Sequence, residues 1–267
     1  DRGLPYHSTW MGDIVYFDAT HPGAQKFVWD RCKENYYRYG IRCFWLDEAE
    51  PEYGPYDFDN YRYYAGPALQ CTNNYPVGYA KGFYEGLKAE GEKEVMSLVR
   101  CAWAGSQKYG VLTWSGDIYS SFRSMREQLQ AGLSMGMAGI PWWTSDIGGF
   151  LGGQIDKPEF QELLVRWFAW GAFCPVFRMH GERSPWYERE EEFRNGVRQL
   201  TSGQDNEVWS FGEDNYEILK KYLFIRERLR PYVRKCMEEA SNSGAPVMRP
   251  LFYEFPKDAE CWNVEDS

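Results

Sequence analysis

The stretch IRCFWLDEAEPE, residues 41–52, combines the two signals that decide the fold. An apolar run of strand-forming residues ends in Asp47, and three glutamates and a proline follow within five residues. A short apolar run bounded by loop signals predicts a buried strand. In parallel α/β folds, functional residues gather at the carboxyl ends of the strands. The stretch therefore predicts a buried strand that carries a functional candidate at its end.

Helix-like and strand-like segments alternate around this stretch, which implies βα units and a parallel sheet. Polar residues stand where the strand-like runs stop, and no glycine-rich phosphate loop or GxxxxGK[ST] motif occurs. This pattern favours a (β/α)8 TIM barrel over a doubly wound sheet. About five βα units are visible, so we expect the C-terminal part of such a barrel. The helix-like segments are 20–40, 76–91, 120–137, 158–172 and 214–240, and the strand-like runs are 41–46, 94–102, 110–117, 138–146 and 173–181.

The same pattern predicts domain boundaries and buried faces. We expect residues 1–240 to form the barrel portion and residues 241–267 an exit segment toward a C-terminal β domain that this sequence does not include. Residues 51–75 are rich in Pro, Gly, Asn and Tyr and predict a long irregular loop. Strand alternation sends one of Trp142 and Trp143 toward the pocket and the other toward the helical layer. Helical periodicity predicts four helix faces, which are Val28, Cys32, Tyr36 and Tyr39; Phe122, Met125, Leu129 and Leu133; Phe160, Leu163, Leu164, Trp167 and Phe168; and Ile218, Tyr222, Ile225 and Leu229.

Composition narrows the class of protein. Aromatic residues make up 18% of the chain, with 12 Trp and 20 Tyr, and such rings suit a pocket that stacks on sugars. The net charge of -9 argues against nucleic acid, because phosphate binding needs clustered Lys and Arg. No run of about 18 apolar residues predicts a membrane span. The first ten residues lack the layout of an export signal.

Cysteine and histidine usage bears on metals and on location. The seven cysteines include no CxxC pair and only three histidines occur, so neither a zinc site nor a disulfide framework is predicted. We therefore expect no metal and no cofactor. Small core thiols indicate a reducing, cytoplasmic compartment, although a secreted or periplasmic location stays open. A homo-oligomer is likewise left open.

Two strand-end carboxylates suggest a reaction class. Hydrolysis of a glycosidic bond passes through an oxocarbenium-like transition state and needs one ionised and one protonated carboxyl group. Asp47 and Asp117 end strands two steps apart in the order, which would let their side chains face each other across a barrel mouth. Each could instead be a turn residue or a helix cap, the commoner role of an Asp after a strand.

Four ordered motifs carry a resemblance: FWLDEAEPE at 44–52, RCAWAGSQKYGVLTWSGD at 100–117, SDIGGF at 145–150 and FRMHG at 177–181. Their order and separations resemble glycoside hydrolase family 31, which contains α-glucosidases and α-xylosidases on a (β/α)8 barrel. The resemblance runs from about residue 10 to about residue 260. It implies a retaining α-glycoside hydrolase that cleaves terminal α-linked sugars by double displacement, with Asp47 as nucleophile and Asp117 as acid/base.

The resemblance also implies residues that hold the sugar. A structural alternative stands beside several of them: Arg100 as the ion-pair partner of a barrel carboxylate, Asp146 as a turn residue and His180 as a buried core histidine. The three glutamates of residues 48–52 are interpreted as solvated loop residues or residues at the edge of the substrate. The implied substrate-binding residues are Trp45, Arg100, Trp114, Asp146, Phe150 and His180, with Trp103 as a further candidate.

Other functions stay open at this point. Specificity for α-galactosides or α-N-acetylgalactosaminides is one alternative, a non-catalytic carbohydrate-binding protein is a second, and a metal-dependent barrel hydrolase is a third. The expected partner is an α-glycoside or oligosaccharide, with no nucleic acid and no membrane. The stretch 244–258, GAPVMRPLFYEFPKD, resembles the family's post-barrel helix and exit strand. The family's N-terminal β-sandwich and its sugar-binding acid on an earlier strand are not found here, so we expect a piece of a longer protein.

Overall fold

The computed structural model describes residues 16–51, 58–185 and 203–264, and also the backbone of four short strands at 6–8, 12–14, 193–194 and 197–198. The chain divides into two units, residues 1–114 and residues 115–267, which are described in turn. Within the described residues, no helix has the length and apolar character needed to cross a membrane.

A parallel sheet of three strands lies at the centre of the first unit. Its middle strand pairs with one neighbour on each side, so that Val99 lies between Leu46 and Thr113. Because the strands are parallel, their carboxyl ends share one edge, and the predicted strands of this unit are confirmed in shorter form. The elements are β1 (Tyr6–Ser8), β2 (Gly12–Ile14), α1 (Pro22–Asn35), β3 (Phe44–Leu46), β4 (Arg62–Tyr63), β5 (Gly66–Pro67), α2 (Ala68–Cys71), α3 (Tyr75–Ala89), β6 (Ser97–Val99) and β7 (Val111–Thr113).

The buried face of α1 differs from the predicted one. The helix begins after His21, whose Nδ1 accepts the Gly23 N–H over 2.9 Å. Trp29 is its buried residue, whereas Tyr36 lies beyond the last helical turn and is exposed, as is Tyr39. Val28 and Cys32 are partly buried, so the predicted face of Val28, Cys32, Tyr36 and Tyr39 is wrong in its last two residues. Trp29 packs against α3 because Gly86 makes room, since a Cβ there would lie 2.3 Å from the indole.

The segment 51–75 is more regular than its composition predicted. Residues 52–57, and with them Glu52, lie outside the described residues. The remainder contains the β4–β5 hairpin, α2 and a 3-10 turn at Thr72–Asn74. Asp18 holds the hairpin by accepting the Tyr64 N–H at Oδ2 over 2.6 Å. Long-range hydrogen bonds of this kind order a segment whose residue types alone suggest a loop.

Helices are the longest elements in the described part of the second unit. The stripe of Phe160, Leu163, Leu164, Trp167 and Phe168 is buried as predicted and packs against the last long helix. In that long helix Leu219 is fully buried and the predicted Ile218 is 41% exposed, whereas Tyr222 packs against the same core as predicted and Ile225 and Leu229 are partly buried. The elements are α4 (Phe122–Met137), β8 (Gly153–Gln154), α5 (Pro158–Gly171), β9 (Arg183–Ser184), β10 (Phe193–Arg194), β11 (Val197–Arg198), α6 (Glu213–Ser243) and α7 (Leu251–Glu254).

The predicted strands at 138–146 and 173–181 are wrong as regular strands. The two stretches meet through the Val176 N–H, which donates to Trp143 O over 3.3 Å, and through a parallel bridge from Ile147 to Met179. Pro141 and Pro175 lack the N–H that a continuous ladder requires, which explains the interruption.

The predicted face of α4 is only partly buried, because Phe122 is exposed. Gly132 and Gly136 are buried instead, and a Cβ at Gly132 would lie 2.7 Å from the Trp143 ring. Trp143 therefore faces the helical layer. In the described part of the exit segment, residues 241–264, α7 and a 3-10 turn at Ala259–Trp262 are present and no strand is assigned.

Candidate active site

Arg100 gathers the acids that follow β3 in the first unit. Its N–H donates to Leu46 O over 3.2 Å, which sets the ends of β3 and β6 side by side. Its Nε lies 2.8 Å from Glu50 Oε1, and its Nη1 lies 3.5 Å from Glu48 Oε1 and 3.6 Å from Asp47 Oδ1. Arg100 is therefore an ion-pair partner of carboxylates at the strand ends, which is the structural alternative given for it above. Glu48 and Glu50 are partly buried ion-pair partners, so their interpretation as solvated loop residues is wrong, and their position at the edge of the substrate stays a prediction.

Asp47 presents an accessible carboxylate at this edge. Its side chain is 51% exposed, and Oδ1 accepts the Glu48 N–H over 3.0 Å. Glu48 has φ 53, a left-handed conformation that is unfavourable for a residue with a Cβ. The Tyr16 hydroxyl donates to Glu48 Oε2 over 3.1 Å and helps to hold this turn. The chain therefore reverses immediately after Asp47 and leaves its carboxylate open.

Two tryptophans stand beside this carboxylate. Trp45 and Trp114 meet edge to face, with ring centroids 5.5 Å apart and planes at 88°. Trp45 precedes Asp47 by two residues, so the two side chains share a face of the strand. Trp114 is buried, whereas Trp45 is 47% exposed and offers an aromatic surface on that face. Trp103 is also exposed, but no ring contact joins it to this pair among the described residues.

In the second unit, a buried aspartate pairs with an arginine among the candidate site residues. Asp146 is 0% exposed and its Oδ1 is paired with Arg178 Nη2 in a short contact. Its other oxygen, Oδ2, is buried without a hydrogen-bond partner among the described residues. Burial raises the pKa of Asp146 to about 6 against the opposing charge of Arg178, and the charge of Asp117 raises it further. Asp117 itself is exposed.

Phe150 and His180 form an aromatic wall in the same unit. Their rings stack with centroids 5.5 Å apart and an interplanar angle of 21°. The Phe150 N–H donates to Ile118 O over 2.8 Å, and the Glu182 N–H donates to Phe150 O over 2.8 Å. These bonds link the stretch after Asp117, the SDIGGF loop and the FRMHG segment. His180 is only partly buried, which argues against the alternative of a buried core histidine.

Each unit thus brings its own predicted candidates together. The first contains Trp45, Asp47, Arg100 and Trp114, and the second contains Asp117, Asp146, Phe150 and His180. Among the described side chains, no group of three or more His, Cys, Asp or Glu residues could hold a metal ion.

Three residues of the second unit were not predicted as site residues. Arg178 is the partner of Asp146, and Arg183 lies fully buried behind the SDIGGF loop. Burial, and then the charge of Asp117, raises the pKa of Glu182. The position of all three within or just after the FRMHG motif was the signal that could have identified them.

Known proteins resemble this chain in sequence and in fold. The family model "Glycosyl hydrolases family 31 TIM-barrel domain" matches residues 1–235, and the predicted (β/α)8 barrel fold is confirmed. An "Uncharacterized family 31 glucosidase ORF2" of Pseudescherichia vulneris is 65% identical over 185 residues, which cover 69% of this chain and 35% of that protein. "Alpha-xylosidase A" of Aspergillus niger is 33% identical over 279 residues, covering 93% of this chain and 36% of that protein.

A solved structure is similar over nearly the whole chain. It is a family 31 α-xylosidase from a soil metagenome, complexed with xylose, and it is 60% identical with a TM-score of 0.95. The match covers 99% of this chain and 39% of that one. The chain spans about a third of the length of the curated relatives named above.

Proposed function

The chain belongs to glycoside hydrolase family 31, and on this premise we propose that the protein carrying it is a retaining α-xylosidase. The observation that carries the proposal is the similarity, over nearly the whole chain, to an α-xylosidase solved with xylose. The substrate would be a glycoside or oligosaccharide with a terminal α-linked xylose.

Asp47 is the proposed nucleophile. An ionised Asp47 oxygen attacks the anomeric carbon, the bond to the leaving oxygen breaks, and a covalent glycosyl-enzyme ester forms. Its exposure supports this role, because half of the side chain is accessible. Arg100 makes its short bond to Glu50, and its Nη1 lies 3.6 Å from Asp47, beyond the range of a strong hydrogen bond.

Asp117 is the proposed acid/base. Its carboxyl proton passes to the leaving oxygen in the first step. In the second step the carboxylate takes a proton from the water that attacks the anomeric carbon and releases the sugar from Asp47. Its exposure on the stretch joined to the SDIGGF loop supports this role.

The remaining predicted residues are proposed to bind the sugar. Asp146 offers the acceptor oxygen Oδ2, and Arg178 fixes the orientation of its carboxylate. The Phe150–His180 stack and the exposed ring of Trp45 supply flat surfaces for the weakly apolar face of a pyranose. Trp114 would support the exposed Trp45 ring from behind, since it is buried and packs edge to face against it. Arg100 would hold the acids that follow β3 in the same unit.

An α-glucosidase is the second candidate, because the relative from Pseudescherichia vulneris is described as a glucosidase. The two sugars differ by the hydroxymethyl group on C5, which a pocket discriminates mainly by the space that it leaves. Specificity for α-galactosides or α-N-acetylgalactosaminides, and binding without turnover, are further outcomes of the same experiment.

A panel of aryl α-glycosides tests the proposal on the complete protein. The α-xyloside should have the highest kcat/KM, and its product should appear first as the α-anomer because a double displacement retains configuration. A higher kcat/KM for the α-glucoside would assign the second candidate. Calorimetric binding of xylose without hydrolysis of any glycoside would overturn the catalytic proposal.

A further inference from the structure

Arg183 is a fully buried arginine whose acceptors are neutral. None of the described carboxylates forms an ion pair with it, and its guanidinium lies over the Phe160 ring at 5.1 Å. Burial lowers the pKa of Arg183 to about 10, so it remains charged at neutral pH. A buried cation is costly unless its hydrogen bonds are satisfied. Its donors reach Asn206 Oδ1 at 2.8 Å, Gly149 O at 2.9 Å, Ile147 O at 3.0 Å, Glu182 O at 3.0 Å and His180 O at 3.5 Å.

These acceptors belong to two backbone segments that carry proposed sugar-binding residues. Nη1 joins Gly149 to Glu182, and Nη2 joins Ile147 to His180. The guanidinium thus bridges the SDIGGF loop and the end of the FRMHG motif twice. One segment follows Asp146 and includes Phe150, and the other includes His180.

Glycines shape the space around this guanidinium. A Cβ at Gly153 would lie 2.9 Å from Nη1, and one at Gly181 would lie 2.7 Å from it. Gly181 has φ 140, a conformation that favours glycine. The packing is therefore built closely around the guanidinium group and leaves no room for larger neighbours.

We propose that Arg183 is a positioning residue for the proposed reaction, which clamps the SDIGGF loop to the FRMHG segment so that Asp146, Phe150 and His180 keep one arrangement toward the sugar. The inference rests on the proposed function for its catalytic consequence. Arginine suits this role because its planar fork presents five donors in fixed directions, whereas lysine offers three from a single point. Misplacing a binding group by about 1 Å can cost about 100-fold in rate.

The chain supplies a matched control in Arg226. This arginine also donates to three backbone carbonyls of the second unit: Ala172 O at 3.1 Å, Cys174 O at 2.6 Å and Pro175 O at 2.8 Å. Cys174 precedes His180 by six residues, which is at most about 20 Å of extended chain. Arg226 therefore anchors α6 to the backbone just before the FRMHG motif and bridges neither pair of segments that Arg183 joins.

The kinetic experiment compares Arg183→Lys with Arg226→Lys in the complete protein. We expect both variants to lower Tm, whereas only Arg183→Lys lowers kcat/KM for the best aryl α-glycoside, by about 100-fold. Activity losses that follow the loss of Tm equally in both variants would overturn the proposal.

Should Arg183→Lys fail to fold, Asn206→Ala removes one anchor of the clamp and should lower kcat/KM by about 10-fold while Tm changes little. Unchanged kcat/KM in that variant would also overturn it.

Amide hydrogen exchange gives a measurement that does not depend on activity. The N–H groups of Phe150 and Glu182 are bonded to Ile118 O and Phe150 O, and loosening the clamp should speed their exchange by at least about 10-fold. Arg226→Lys should leave both amides protected. Equal protection in the Arg183→Lys variant and the wild type would refute the clamp. A wild-type protein that hydrolyses no glycoside would refute the proposed function, while the exchange result would still decide the clamp.

Discussion

Arg100 donates its Nε–H to Glu50 Oε1 across 2.8 Å. The same guanidinium approaches Asp47 only to 3.6 Å. Glu50 therefore holds the arginine in a direct, charge-assisted hydrogen bond and keeps it from forming one with the proposed nucleophile. The bond between Glu50 and Arg100 should therefore affect the rate at which Asp47 attacks.

Replacing Glu50 by Gln should weaken the hold on Arg100 and let it bond directly to Asp47. A direct bond stabilises the carboxylate before attack and makes it a poorer nucleophile, so kcat should fall about 10-fold with KM little changed. Steady-state kinetics on the best aryl α-glycoside measures this. Glu127→Gln, which breaks the exposed pair with Arg123, is the control and should leave kcat unchanged. An unchanged kcat in Glu50→Gln would contradict the assignment.

Replacing Asp47 by Ala should abolish turnover, because no other group is proposed to form the glycosyl-enzyme. Loss of a catalytic nucleophile typically costs about 10⁴-fold or more in kcat. Asp30→Ala is the matched control, since Asp30 is an acid of the same unit that pairs with Lys26 on the surface of α1. Mass spectrometry should also find a fluorinated glycosyl inactivator on Asp47 in the wild type. Label on another residue, or full activity of Asp47→Ala, would reject the nucleophile.

Replacing Asp117 by Ala should separate leaving groups by their need for a proton. Natural glycosides should lose activity, whereas activated aryl glycosides should keep part of it because their leaving group departs without protonation. Azide should then restore turnover and give the glycosyl azide, as a small anion can enter where the carboxylate stood. The absence of azide rescue, together with an equal loss for all leaving groups, would leave Asp117 as a structural cap.

The sequence could predict those features that depend on residues close together in the chain. Asp47 directly follows β3 and Asp117 lies four residues after β7, and the α5 stripe follows helical periodicity, so all of these were visible in short windows of sequence. The partners of Arg100 and Arg183 were not visible. Arg100 selects Glu50 by side-chain reach, and Arg183 is satisfied mainly by backbone carbonyls, which every residue type possesses. The displaced face of α1 has the same origin, because Gly86 on α3 makes room for Trp29.

The raised pKa of Asp146 predicts a pH-dependent stability. Burial raises it from 3.8 to about 6, so as the pH rises the unfolded chain loses this proton before the folded protein does. The stability contributed by this carboxyl group is therefore present in acid and is lost as the pH rises through about 6, by roughly 3 kcal/mol in total. The difference in Tm between wild type and Asp146→Asn should shrink from pH 4 to pH 7, which thermal unfolding measures. Asp156→Asn, at an exposed acid of the same unit, controls for the loss of a carboxylate. A constant difference would show that burial does not perturb Asp146.

Two glycines with nearly the same φ, one in the SDIGGF loop and one just after it, separate backbone strain from steric exclusion. Gly149 has φ 80 and Gly152 has φ 78, but a Cβ at Gly149 would lie 2.6 Å from Ser120 Cα, whereas one at Gly152 would meet nothing within 4 Å. Gly152→Ala should therefore cost only the left-handed strain, about 1 kcal/mol. Gly149→Ala must in addition move the backbone around Ser120, for about 1–3 kcal/mol more. Because Phe150 directly follows Gly149, the Gly149→Ala variant should also have a lower kcat/KM. Thermal unfolding and kinetics of the two variants, measured side by side, check both effects. Equal changes in Tm would show that conformation alone, and not the approach of Ser120, requires glycine at residue 149.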